Sequence, residues 1–201
     1  MQELPEKLSV NEILGRKVLI VGDVGTGKTA LTVQIFEKLI DLGLGNDITI
    51  IDMAPKTLFI SGKRIGGKLD EYTDLVKKVK YLAPSVVYAP RLTSKSSQEL
   101  LHLVKENVKN LDPLIDEYIR KPTKILIIND LSIYFHAGDL SKILQCLSRA
   151  ETFLANSYYG KTLKNDFNTG VSYRERDLVK KMMRYMDRVI VLRENCFIKV
   201  I

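Results

Sequence analysis

The sequence predicts a three-layer α/β fold, with a mainly parallel sheet of five strands and a hairpin at its C-terminal edge. Three observations predict it. A β-branched apolar run at 17–21 is followed by a glycine-rich turn and then by an amphipathic helix. A second apolar run at 48–52 completes a strand–helix–strand unit, which implies parallel strands. An unbroken apolar run within 124–130 is typical of a central parallel strand.

The other elements follow from apolar spacing and capping patterns. Further strands are predicted at 85–89 and 188–192, with 196–201 as a hairpin partner and 58–60 as a short strand. Helices are predicted wherever apolar residues recur at helical spacing, in chain order at 30–40, 70–80, 96–111 with a continuation past Pro113, 139–154 and 172–183. Residues 156–171 lack an apolar pattern and are predicted to form a surface loop.

Length and composition indicate a single domain over residues 1–201. The chain is 45% hydrophobic and 27% charged, which is ordinary for a globular protein. No apolar run approaches the roughly 20 residues that a membrane span needs, so we expect no membrane partner. The N-terminus lacks the apolar core of a signal peptide. The two cysteines, Cys146 and Cys196, show no metal-binding spacing, so we expect a reduced cytoplasmic protein.

The positive charge is concentrated near the C-terminus. The chain has a net charge of +7, and residues 161–201 hold ten Lys and Arg against five Asp and Glu. A solvated surface explains such an excess most simply. A nucleic-acid surface is the sharper interpretation, since basic patches attract phosphate backbones. Tyr158, Tyr159, Phe167 and Tyr173 lie in the same region and could stack on bases.

The glycine-rich turn predicts a phosphate-binding site. Residues 22–29 fit the pattern G-x-x-x-x-G-K-[ST] between a predicted strand and a predicted helix. Glycines let several backbone N–H groups turn towards one phosphate, and the following helix adds the positive end of its dipole. We assign nucleotide binding to one continuous segment, namely Gly22, Asp23, Val24, Gly25, Thr26, Gly27, Lys28, Thr29 and Ala30. Within it, Lys28 would reach the β- and γ-phosphates and the Thr29 hydroxyl would bind Mg²⁺.

Two aspartates at predicted strand ends complete the candidate site. Asp130 ends an apolar strand, where a carboxylate can hold Mg²⁺ at the carboxyl edge of a parallel sheet. Asp52 ends the second strand and would point into the same crevice if that strand lies beside the first. It could then assist the metal or act as a base, and a turn residue is the equal alternative. The predicted catalytic set is therefore Lys28, Asp130 and Asp52, with Thr29 and Asp130 on the metal.

Basic residues elsewhere are weaker candidates. Lys161, Arg174 and Arg176 could neutralise charge on the γ-phosphate, although most such residues are solvated. The basic loop at 62–68 could hold an anionic second substrate, and a plain surface loop is the simpler interpretation.

These motifs resemble those of the P-loop NTPases. The resemblance covers 17–42 and the strand ending at Asp130, which is similar to the Walker B element; it implies nucleoside triphosphate and Mg²⁺ binding. The chain looks most like RecA/KaiC-type ATPases in residues 10–15, 18–22 and 26–29 and in its C-terminal hairpin. This resemblance implies an ATPase that works with DNA or with other copies of the same protein. The aspartate ending the second strand looks instead like the family of dethiobiotin synthetase and MinD. Asn129 stands before Asp130 where ATPases with a catalytic base often pair Asp with Glu.

The combined expectation is a Mg-dependent ATP-binding protein with slow or partner-stimulated hydrolysis. ATP is preferred over GTP because no Asn-Lys-x-Asp element for guanine is present. A small-molecule kinase or ligase is one alternative, with its acceptor near Asp52 and the 62–68 loop and with 156–176 as a lid. A nucleotide-dependent switch or nucleic-acid-binding module is the other, using the basic C-terminal region.

Overall fold

The structure, a computed structural model, describes residues 10–60, 63–163, 165–193 and 196–200. Residues 61–62, in the predicted basic loop, and Ile201, at the end of the predicted hairpin, lie outside the described residues. The strands, in chain order, are β1 (Lys17–Gly22), β2 (Ile48–Asp52), β3 (Leu58–Ile60), β4 (Lys63–Ile65), β5 (Lys80–Leu82), β6 (Ile125–Asn129), β7 (Thr152–Tyr158), β8 (Arg188–Arg193) and β9 (Cys196–Val200). The α-helices are α1 (Lys28–Asp41), α2 (Pro90–Thr93), α3 (Ser97–Arg120), α4 (Leu131–Phe135), α5 (Leu140–Arg149) and α6 (Val171–Met183).

One seven-stranded sheet organises the molecule, in the order β5-β2-β6-β7-β1-β8-β9. Every neighbouring pair from β5 to β8 is parallel, and only β9 pairs antiparallel, with β8. The short strands β3 and β4 form a separate antiparallel hairpin. Because six strands are parallel, their carboxyl ends lie along one edge of the sheet, where α/β proteins place their ligands.

Alternate residues of the strands pack into two cores, one on each face of the sheet. In β1, Val18 and Ile20 pack with the apolar stripe of α1, whereas Leu19 and Val21 pack on the opposite face with α3, α5 and α6. This alternation follows from the two-residue period of a strand. Helices on both faces confirm the α/β class and give three layers. None of the helices in the described part of the chain is long and apolar enough to cross a lipid bilayer.

The sequence prediction was wrong in the region between β2 and α3. Residues 85–89, predicted as a strand, form none, and the segment predicted as a charged helix at 70–80 forms two short 3₁₀ turns, Leu69–Glu71 and Asp74–Lys78. The edge strand is β5, only three residues long, which pairs with β2. So short an edge strand gives almost no periodic signal in the sequence.

The prediction was also wrong for β7, which lies in the middle of the sheet. Residues 152–158 were divided between the end of a helix and a surface loop, yet they pair with β1 on one side and β6 on the other. The helix α5 begins after its Asp139 cap as expected but ends at Arg149. The parallel sheet therefore has six strands rather than five.

Candidate functional site

The predicted phosphate-binding loop, residues 22–29, has a backbone conformation that depends on glycine. Gly25 and Gly27 have φ angles of 74° and 86°, in the left-handed region, and a Cβ on either residue would meet nothing within 4 Å. The space in front of the loop is thus open. Gly22 is required for another reason, because its Cβ would lie 2.6 Å from the Leu192 carbonyl oxygen of β8. The helix α1 begins at Lys28 without a side-chain cap, so its first N–H groups face this space without helical partners.

The side chain of Lys28 is folded back onto the loop. Its Nζ donates to the carbonyl oxygen of Asp23 at 2.7 Å. Burial lowers the pKa of Lys28, and the carboxylates of Asp130, Asp23 and Glu175 act in the opposite direction. The ammonium is therefore held beside the open space, on a carbonyl that a phosphate oxygen could replace as its partner.

Asp130 follows β6 in a strained backbone conformation. Its φ and ψ are 56° and 54°, which a non-glycine residue adopts at a cost of about 1–2 kcal/mol. Its N–H donates to Asn156 Oδ1 at 2.9 Å, and its Oδ1 accepts from the Ser132 hydroxyl at 2.5 Å. Burial raises the pKa of Asp130, while the Ser132 hydrogen bond and Lys28 oppose that change.

A chain of buried hydrogen bonds crosses the carboxyl edge of the sheet. Asn156, on β7, donates from Nδ2 to Thr32 Oγ1 of α1 at 2.9 Å and to Asn129 Oδ1 at 2.8 Å. Asn129, on β6, donates in turn to Asp52 Oδ1 at 2.9 Å and to the Gly67 carbonyl at 3.2 Å. The helix that follows the phosphate-binding loop is thereby joined through side chains to the end of β2.

Asp52 does not lie where the sequence placed it. The prediction required β2 to lie beside β1, but β6 and β7 separate them. The carboxylate is fully buried and accepts hydrogen bonds from the Ala54 and Leu69 N–H groups, the Tyr81 hydroxyl and Asn129. Burial raises its pKa to about 6 against these four donors. Asp52 thus anchors the chain that follows β2 through the N–H groups of Ala54 and Leu69. It does not belong to the lining of the cavity described next.

A cavity of about 140 Å³ opens directly in front of the phosphate-binding loop. Lys28, Thr29 and Asp130 all contribute to its lining, so the structure brings these three predicted residues together. The remaining walls include Gly66, from the predicted basic loop, and Tyr158 and Leu163, from the segment predicted as a lid, together with segments that the sequence did not connect to the loop. They are formed mainly by Pro55, Ile65, Gly66, Tyr72, Ala89, Pro90, Arg91, Leu92, Ile133, His136, Tyr158 and Leu163.

The basic residues predicted to face the γ-phosphate lie elsewhere. Arg174 donates to the carbonyl oxygen of Gly138 at 2.7 Å, and Arg176 donates to Gly160 and stacks on the Tyr159 ring. Lys161 is exposed, and it borders a neighbouring cavity of about 260 Å³ together with Arg176. None of these three belongs to the described lining of the cavity at the loop.

Of the predicted basic loop, Gly62 and the side chains of Lys63 and Arg64 lie outside the described residues. Lys68 is 7% exposed and its Nζ donates to the Pro84 carbonyl at 2.9 Å, so this ammonium is engaged inside the protein. Gly66 borders the cavity, and Gly67 accepts from the Asn129 amide.

Sequence reasoning missed a buried charged cluster beside the cavity. Arg91, on α2, makes a bidentate ion pair with Glu175 of α6, with N···O distances of 2.7 and 2.8 Å. His136, which follows α4, has its Nε2 3.7 Å from Glu175 Oε1. The three residues come from distant segments and share no sequence motif. Arg91 before α3 and Glu175 in a basic helix resemble ordinary surface charges when the sequence alone is read.

Asp23 fastens the segment after β7 to the phosphate-binding loop. Its Oδ2 accepts from the N–H groups of Lys161 and Thr162 at 2.8 and 3.2 Å, and its Oδ1 accepts from Val24 N–H at 2.7 Å. Burial alone would raise the pKa of Asp23, but these backbone donors bring it below its ordinary value. Gly160 packs against this carboxylate so closely that a Cβ would lie 2.3 Å from Asp23 Cγ.

The residues at the cavity fit Mg²⁺ in one specific manner. Within the described ranges, no group of three or more His, Cys, Asp or Glu side chains could form a metal site of its own. A hydroxyl at Thr29 and a carboxylate at Asp130 suit a cation that keeps several waters and takes its other ligands from substrate phosphates. The arrangement therefore fits a metal that enters with a nucleotide.

Comparison of the sequence with models of known protein families gave no match, and comparison with curated proteins gave no significant match. The geometry of the cavity and the motifs that form it are therefore the basis of the function proposed below.

Proposed function

We propose that the protein is a P-loop NTPase of RecA/KaiC-like type that binds Mg·ATP and hydrolyses it slowly or on stimulation by a partner. One observation supports this above the others. Lys28 and Thr29 at the start of α1 and Asp130 after β6 line one cavity, in front of a loop in which Gly25 and Gly27 have left-handed φ angles.

Each of these groups has a defined role in the proposal. The N–H groups of the loop and of the first turn of α1 bind phosphate oxygens, and Lys28 moves from the Asp23 carbonyl onto the β- and γ-phosphates. Thr29 and Asp130 would hold the metal. Bound there, Mg²⁺ would neutralise charge that develops on the phosphates. The described cavity lining contains no glutamate that could act as a base, which is consistent with slow hydrolysis.

The first prediction concerns Lys28→Ala. Because the variant loses a charge-assisted hydrogen bond to phosphate, we expect Mg·ATP to bind about 10- to 100-fold more weakly by calorimetry. Lys38→Ala is the matched control, an exposed lysine on the same helix, and should bind as the wild type does. Equal affinity in wild type and Lys28→Ala would refute the site.

A companion variant separates the metal from the phosphates. Asp130→Asn keeps the shape of the side chain, and asparagine tolerates the left-handed backbone at this position. We expect it to weaken the Mg²⁺ dependence of ATP binding more than binding of ATP without Mg²⁺. An unchanged Mg²⁺ dependence would remove Asp130 from the proposal.

A small-molecule kinase or ligase is the second candidate, and the lining of the cavity favours it. Pro55, Pro90 and Leu92 contribute apolar walls, which phosphate oxygens do not need. ATP turnover that appears only with a metabolite would support this candidate. Hydrolysis stimulated by DNA in a salt-sensitive manner would instead support the nucleic-acid module, which stays a prediction based on charge. Self-association and the choice of ATP over GTP also stay predictions.

A further inference from the structure

We infer that the cavity in front of the phosphate-binding loop also binds an uncharged organic molecule that carries a hydroxyl group, with His136 as the hydrogen-bond partner of that hydroxyl. The inference deepens the second candidate function by naming the chemical class of its substrate. It depends on that function only for the chemistry, since binding of such a molecule requires no ATP.

His136 is the polar group on which the inference depends. The residue is 2% exposed and its ring borders the cavity. Neither ring nitrogen has a hydrogen-bond partner among the residues that the structure describes, and Nε2 is 3.7 Å from the Glu175 carboxylate. An unsatisfied buried polar group costs about 1–3 kcal/mol. A ligand hydroxyl, which can either donate or accept a hydrogen bond, would satisfy one of these two nitrogens.

The charges around His136 favour an uncharged ligand over an anionic one. The Arg91 guanidinium pairs with Glu175 through its two terminal nitrogens, and the two side chains are only 5% and 2% exposed. Its Nε has no hydrogen-bond partner among the described residues, Arg91 also donates to the Leu163 carbonyl at 3.3 Å, and its guanidinium lies over the Tyr158 ring. Because the ion pair is internally neutral, Arg91 has no uncompensated charge for a carboxylate or a phosphate; the other cation of the lining, Lys28, is assigned to the nucleotide phosphates.

Several apolar side chains line the cavity that His136 borders, namely Pro55, Ile65, Pro90, Leu92 and Ile133. The cavity measures about 140 Å³, a volume on the scale of one benzene-sized molecule, so the ligand must be compact. The ligand class is thus a compact apolar or aromatic group with one hydroxyl.

The position of the hydroxyl relates this site to the proposed chemistry. The lining that contains His136 also contains Lys28, Thr29 and Asp130, the residues proposed to hold the phosphates and the metal. A hydroxyl bound at His136 would therefore share one cavity with the phosphates, as phosphoryl transfer to an acceptor requires.

Nuclear magnetic resonance can test the inference on the whole protein, with phenol as the probe. The chain has only two histidines, so the imidazole signals can be assigned with the His102→Gln variant, since His102 is exposed on α3. Phenol carries the hydroxyl, toluene lacks it, and benzoate replaces it with a charge. We expect phenol to shift the His136 ring signals to saturation and to bind more tightly than either control compound.

Two variants show whether the contact is a hydrogen bond. His136→Leu should weaken phenol binding about 3- to 10-fold, the loss of one neutral hydrogen bond, and leave toluene binding unchanged. His136→Asn, which keeps a donor and an acceptor, should retain most of the phenol affinity. Equal losses for phenol and toluene in His136→Leu would indicate a change of cavity shape and overturn the inference.

The remaining outcomes separate the inference from the proposed function. Phenol that shifts no His136 signal, or benzoate that binds as tightly as phenol, would overturn the inference while Mg·ATP binding and its loss in Lys28→Ala stand. Saturable phenol binding at His136 in a protein that binds no Mg·ATP would support the site and refute the nucleotide function.

Discussion

Asp52 shows how a residue with a suggestive position can have a structural role. It ends a parallel strand at the ligand-binding edge, as a catalytic carboxylate would. Four donors surround it, and it has no exposed surface. Two of these donors, the N–H groups of Ala54 and Leu69, belong to the chain that leaves β2. Ionisation of Asp52 therefore affects the folding of this segment.

The pH dependence of stability tests this role. Burial raises the pKa of Asp52 to about 6, against about 3.9 in an unfolded chain. A raised folded-state pKa means that the native state binds the proton more tightly, so the contribution of Asp52 to stability is complete below about pH 4 and is lost as the pH rises through 6. We expect the free-energy difference of unfolding between wild type and Asp52→Asn to decrease by on the order of 2 kcal/mol from pH 4 to pH 7.

Denaturant unfolding at several pH values measures this difference directly. The comparison with Asp52→Asn cancels the titration of all other carboxylates, provided that the variant unfolds with the same m-value. A difference that stays constant from pH 4 to pH 7 would show that Asp52 is already ionised in the folded protein at pH 4.

At the scale of elements, the phosphate-binding loop and the segment after β7 are held together by Asp23. Three N–H groups converge on one carboxylate, two of them from residues 161 and 162. Gly160 lets the two segments approach, because any side chain there would collide with the carboxylate. The segment after β7 thus supports the conformation of the loop. It does so through Asp23, which occupies a variable position of the motif.

A double-mutant cycle tests this contact. Gly160→Ala should destabilise the protein by about 1–3 kcal/mol, since the Asp23 carboxylate cannot move without losing its backbone donors. In the Asp23→Ala background the same substitution should cost far less, because the colliding group is gone. Thermal or denaturant unfolding gives both values. Additive effects of the two substitutions would argue against the contact.

At the scale of the whole molecule, the Arg91–Glu175 pair joins parts of the chain that are distant in sequence. α2 precedes the long helix α3, whereas α6 leads into the last parallel strand. The pair is almost fully buried, so its two charges depend on each other for compensation. It fixes one wall of the cavity relative to the helices on that face of the sheet.

Removing one partner should therefore cost more than removing both. We expect Glu175→Ala to lower the free energy of unfolding by about 3–5 kcal/mol, because it leaves a buried guanidinium unpaired. The double variant Arg91→Met with Glu175→Leu should lose less than that single variant. Asp177→Ala is the control on the same helix, since its pair with Lys181 is half-exposed, and it should change stability by at most about 1 kcal/mol. Similar losses in Glu175→Ala and Asp177→Ala would contradict the prediction.

The sequence predicted the elements whose patterns are local. The P-loop motif, β1, α1, β2, β6, β8 and the antiparallel β9 all follow from apolar runs and turn residues that lie close together in the chain. The placement of Asp130 at a strand end was predicted on the same basis, and the structure brings it to the cavity with Lys28 and Thr29.

The central strand β7 escaped prediction because it contains buried polar residues. Thr152, Asn156 and Ser157 are at most 2% exposed, yet they resemble loop residues in the sequence. Their burial is possible only because partners from other elements satisfy them; for Asn156 these are Thr32, Asn129 and the N–H of Asp130. No local pattern could reveal those partners.

The sequence by itself thus determined the α/β class and the glycine-rich loop between β1 and α1, since both depend on residues that are neighbours in the chain. The tertiary structure alone decided the strand order, which separates Asp52 from the loop, and the assembly of Arg91, His136 and Glu175 beside it. The physical reason is that strand order and side-chain clusters depend on contacts between distant segments, and such contacts leave no periodic signal in either segment alone.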